Sequence, residues 1–149
     1  MTTKITNADL VKAALMSGGM NAVINGLINW FQVKGKSEIF LTVDSISTTE
    51  HTVLGGAVIL ASSLAAILTI ITYFTLKIAN KPAFYPRGLW LTIRNAFFAF
   101  GVMVTLSIIL QRIAGAVSVT PLVAVIVTGL IAGVVASVVD YMTKTELIN

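Results

Sequence analysis

"TVLGGAVILASSLAAILTIITYFTL", residues 52–76, carries no charged side chain. About 20 consecutive apolar residues span the hydrocarbon core of a bilayer, so a run of this kind reads as a transmembrane helix. The rest of the chain agrees. Of 149 residues 56% are hydrophobic and 11% charged, whereas a soluble domain carries about 25% charged residues. Its charges are too few to cover a soluble surface of this size.

Working outward, four helices are predicted, over 8–32, 48–79, 86–114 and 121–142. Thr6 or Asn7 caps the first, with Asp9 in its first turn, and Gly35 stops it. A capping box, Ser47-x-x-Glu50, opens the second ahead of His51. Pro82 and Pro86 break the chain after it, and Pro86 suits the first turn of the third. Thr120-Pro121 opens the fourth. The connection 33–47 contains "EIFLTVD", β-branched and aromatic, which reads as a short extended or β-like segment. An unpaired strand is marginal, so it lies on the helices or pairs with a neighbouring subunit. The expected fold is thus an all-α integral membrane protein, one domain over 1–149 with four transmembrane helices and an extended outer segment.

Orientation follows the basic residues. Lys77, Lys81 and Arg87 between helices two and three, with Lys4 and Lys144, place both termini in the cytoplasm. Lys34 and Lys36 on the other side are accompanied by Glu38, Asp44 and Glu50. "MTTKITNADLVK" lacks the charged and apolar regions of a cleaved signal peptide, so the first helix is expected to remain.

That first helix is the least apolar. Asn21, Asn25 and Asn29 recur every fourth residue and share one face, loosely extended by Ser17 and Gln32. Lys12 and this row allow a helix lying flat at the interface. The apolar and small residues between the asparagines favour a span instead, with Lys12 snorkelling. An amide without a partner is costly in hydrocarbon, so the row must face protein or water. Either the amides bond neighbouring helices, or they line a polar path around the axis of a homo-oligomer.

Other features carry weaker expectations. Arg94 and Asp140 fall toward the same cytoplasmic end and are candidates for an ion pair. Gly129, Gly133 and Ser137 on helix four, and Ala57, Ala61 and Ala65 on helix two, are small residues at the spacing that lets helices approach closely. Arg112 reads as a boundary charge, and Phe97, Phe98, Phe100 and Met103 as packing.

With one histidine, no cysteine and six acids, no catalytic constellation, metal set or nucleotide motif is assembled. No cofactor and no nucleic acid is expected, since the net charge of +4 fits loop orientation. The leading expectation is a homo-oligomeric channel or permease-like protein with Asn21, Asn25, Asn29 and Ser17 on its path. The alternative is a non-catalytic assembly subunit whose amides and small faces bind other membrane chains.

Overall fold

The computed structural model describes residues 6–43, 52–78 and 81–148. Four helices dominate: α1 (Asn7–Val33), α2 (Val53–Thr75), α3 (Leu89–Ala114) and α4 (Pro121–Ile148). Three helical segments are long and apolar enough to cross a membrane: Val53–Thr75, Phe84–Ala114 and Pro121–Ile148. The amide-bearing α1 is not among them.

Local chemistry sets the boundaries. Thr6 and Asp9 close a reciprocal cap: Asp9 N–H donates to Thr6 Oγ1 at 3.3 Å and Thr6 N–H to Asp9 Oδ2 at 3.0 Å. The second helix departs from the sequence reading at both ends. It begins at Val53, where Thr52 Oγ1 accepts from Gly55 N–H at 3.0 Å. The expected cap at Ser47 and Glu50, together with Asp44 and His51, lies outside the described residues, as does Lys4. α2 ends at Thr75, short of 79: Leu76 turns extended, and Lys81 Nζ reaches back to the carbonyls of Tyr73 (3.1 Å) and Leu76 (3.0 Å). A cation is favourable at that negative helix end.

A single π-helical turn, Phe84–Gly88, leads into α3, and Tyr85 within it is extended. α3 therefore starts at Leu89 and not at Pro86. Phe84 packs on Tyr73 (centroids 5.1 Å apart, edge-on) and Phe74 (5.2 Å, stacked). α4 continues six residues beyond the expected 142, carrying Lys144 and Glu146 on helix.

The extended segment is β1 (Ile39–Thr42), and it pairs antiparallel with β2 (Val117–Val119) in the connection between α3 and α4. Its partner is thus within the chain. Ile39 stands opposite Val119 and Phe40 opposite Ser118, with an irregularity before Thr42–Val117. Gln111 Nε2 donates to the Val43 carbonyl at 2.7 Å and Thr42 Oγ1 to that of Gly115.

Helices α2, α3 and α4 share a core in which Ala57, Ala61 and Ala65 of α2 meet Ala99 and Met103 of α3 and Val139 of α4. Among the helices α1 packs chiefly on α4, antiparallel, along a seam of small residues. A Cβ added at Gly18 would lie 1.9 Å from Ser137 Oγ and 2.6 Å from the Gly133 carbonyl oxygen. One at Gly129 would lie 2.9 Å from the Ala22 carbonyl oxygen, and one at Gly133 3.0 Å from Ala22 Cβ.

Gly18→Ala is expected to destabilise by about 1–3 kcal/mol through overpacking. Gly19→Ala, with nothing within 4 Å of the added Cβ, is expected to be neutral or to stabilise by up to about 1 kcal/mol. Thermal unfolding of both variants in detergent checks the contrast, and equal shifts would contradict the seam.

Candidate functional site: an amide-lined groove and a buried polar cluster

The seam dictates where the amides look. Ser17, Asn21, Asn25 and Asn29 each precede Gly18, Ala22, Gly26 and Trp30 by one position, or about 100° of helix. The amide row therefore flanks the α1–α4 contact. Asn21, Asn25 and Asn29 are all half-buried.

The nitrogens of Asn21 and Asn25 are engaged on their own helix. Asn21 Nδ2 donates to the Ser17 carbonyl and Asn25 Nδ2 to the Asn21 carbonyl, each at 2.9 Å. No amide of the row bonds another helix among the described residues. Asn29 Oδ1 is buried without a partner there.

Asn25, Asn29 and Gln32 form one wall of a groove of about 490 Å³ between α1 and α2. Gly56 and Ser63 lie on the opposite wall, Thr128 of α4 lies between them, and Lys36 and Thr52 stand near the connections. Asn21 and Ser17 do not line it. They sit level with Gly133 and Ser137, where the seam is tightest. Of the four expected path residues, the groove holds two.

A second polar site lies at the other end of the molecule, where α2 and α4 finish and α3 begins. Arg94 and Asp140 are not joined to each other. Arg94 Nη1 pairs with Glu146 Oε2 at 3.3 Å, both partly exposed. Asp140 is buried, and its carboxylate accepts from Thr72 Oγ1 at 2.9 Å and from Lys144 Nζ at 2.5 Å. The correction has a geometric reason: Lys144 is one turn along α4 from Asp140, and the extra length of α4 brings Glu146 to Arg94.

Beside this pair, Asn95 Nδ2 donates to Thr69 Oγ1 and to Thr143 Oγ1, both at 3.0 Å, and all three residues are fully buried. Thr69 Oγ1 itself donates to the Ala65 carbonyl at 2.7 Å, which makes it an acceptor for Asn95 and fixes the orientation of that amide. Thr69 and Thr72 lie one turn apart on α2, as do Asp140 and Thr143 on α4. Their bonds cross, Thr72 to Asp140 and Thr69 through Asn95 to Thr143, so the five side chains form one compact cluster.

The sequence reading missed Thr69, Thr72, Asn95 and Thr143. A usable signal was present: Asn95 interrupts an apolar helix, and each of the other pairs has a polar residue three positions from another. The arrangement can hold a buried charge and fix the angle between three helices. Arg112 is exposed in the last turn of α3.

Removing one partner of a buried ion pair costs about 3–5 kcal/mol, while removing both is far cheaper. Lys144→Met is thus expected to be severely destabilising, and the added Asp140→Asn to restore most of the loss. Melting temperatures of the single and double variants check this, and a double variant no better than the single would refute the pairing.

No known protein family, curated protein or solved structure matches the chain.

Proposed function

We propose that this chain crosses the membrane with four helices and that copies of it assemble to pass an ion or small polar solute along the amide face of α1. The observation that carries the reading is the groove: Asn25, Asn29 and Gln32 face a space of about 490 Å³ and bond no other helix among the described residues.

Three considerations support it. First, α1 runs antiparallel beside α4 from Gly18 at Ser137 to Gly26 at Val125 and Gly129. A helix held along a spanning helix shares its depth, which favours a fourth span over a helix lying flat. Second, the groove's wall on α1 begins at Asn25 and includes neither Asn21 nor Ser17, so one copy holds only part of a path. Completion by a second copy suits the usual symmetry of membrane oligomers. Third, neutral amides present donors and acceptors without a strong field, as fits water, a hydrated ion or a small polar solute. The basic residues Lys77, Lys81, Arg87 and Lys144 lie at the end assigned to the cytoplasm.

The chain has no cysteine, so single thiols report cleanly. Asn25→Cys and Asn29→Cys are expected to react with a membrane-impermeant maleimide in intact vesicles. Val23→Cys and Leu27→Cys, on the exposed apolar face, are expected to stay silent. Asn25→Leu should preserve the oligomer and abolish solute uptake into proteoliposomes. Silence at 25 and 29, with dissociation of the Asn25→Leu oligomer, would instead assign the row to assembly between chains.

A further inference from the structure

Helices α3 and α4 both pack on α2 but barely on each other, and the cleft between them has two parts. Phe98, Val102 and Leu106 of α3 face Leu130, Val134 and Val138 of α4 across a furrow of about 300 Å³ with only apolar side chains on its walls. Each triplet has four-residue spacing, so the furrow follows one face of each helix for about 12 Å. One turn further along the same faces come Arg94, four residues before Phe98, and Met142, four after Val138.

There the cleft opens into a pocket of about 750 Å³ lined by Arg87, Arg94, Tyr141, Met142, Thr145 and Glu146. Its polar groups are incompletely used. Arg87 Nη2 donates to the Glu146 carbonyl at 3.1 Å, and Arg94 Nη1 to the Glu146 carboxylate at 3.3 Å. Arg94 Nε and Thr145 Oγ1 are buried with no partner among the described residues. Two guanidinium groups against one carboxylate leave a positive charge. The exposed Tyr85 and Trp90 nearby are residues that favour the headgroup level.

We infer that the α3–α4 cleft binds an anionic phospholipid, with an acyl chain in the furrow and the headgroup phosphate at Arg87 and Arg94; the inference rests on the membrane reading above. Guanidinium groups match phosphate oxygens in geometry and charge. A water-soluble anion would satisfy the pocket but leave the adjoining furrow uncovered. A zwitterionic lipid would fill the furrow but gain little at the arginines. Only a ligand with both parts uses both halves of the cleft. The positive-inside orientation places this pocket in the leaflet face where anionic headgroups attract basic residues.

The test uses the full chain in nonionic detergent, with phosphatidylglycerol or phosphatidylcholine of identical acyl chains, read by native mass spectrometry and melting temperature. Phosphatidylglycerol is expected to be retained about tenfold more tightly, given two arginines at the surface, and the preference should shrink as salt rises. Arg87→Gln with Arg94→Gln should erase the preference and leave phosphatidylcholine binding unchanged. Glu146→Gln removes the same ion pair from its other side and should enlarge the preference, an effect in the opposite direction to a mere loss of structure. Glycerol phosphate alone should shift neither readout.

Equal retention of the two lipids, a preference that survives both arginine changes, or a full effect from glycerol phosphate would each overturn the inference. Carbonate extraction of cell membranes separates it from the reading beneath it. A chain released by carbonate overturns both, whereas a chain that resists extraction but shows no headgroup preference overturns the lipid site alone.

Discussion

The lack of room for a single methyl group between Gly18 and Gly133 governs the arrangement of this molecule. Close backbone approach holds α1 against α4 through van der Waals contact along the small-residue seam. It turns the amide row toward α2 and consumes one flank of α4. The other flank meets α2 through Ala132 and Ala136, which pack with Leu64. With both flanks of α4 taken along most of its length, α3 leans chiefly on α2 and meets α4 near Val139, Thr143 and Glu146. The groove on one side and the cleft on the other are consequences of that allocation.

Helix identity was legible in the sequence because it depends on runs of apolar residues and on caps, both local. α1 and the start of α4 fall within a residue of expectation for that reason. The misplaced ends of α2 and α4 depend on side-chain partners, of which only the Arg94–Glu146 pair is distant in sequence. Lys81 folds back to close α2, and Glu146 and Lys144 keep α4 helical by pairing with Arg94 and Asp140. β2 was invisible because three residues, Val117–Val119, carry no pattern until β1 lies beside them. The small-residue rows could be read as rows, but not which helix each would meet.

The polar groups divide between the two ends of the molecule. Around Asp140 they bond between helices: Thr72 and Lys144 meet the carboxylate and Asn95 Nδ2 joins Thr69 to Thr143, while the buried Asn95 Oδ1 has no partner among the described residues. In the groove they are loose, with amide nitrogens turned back onto their own helix and the Asn29 oxygen left without a donor among the described residues. Bonds between helices rigidify their packing, whereas an amide bonded back to its own helix does not tie it to a neighbour.

The pairing of β1 with β2 sets the order in which the structure can form. Ile39 and Val119 are joined across the whole of α2 and α3, so the two strands cannot meet until everything between them has been made and placed. Contacts of such wide separation form late, because the loop must close before the pairing rewards it. The small sheet is thus a latch that fastens only when the α3–α4 connection has come to lie beside Phe40. A chain whose third helix failed to pack would leave β1 as an open edge, and the finished molecule is distinguished from its arrested precursor by those few hydrogen bonds.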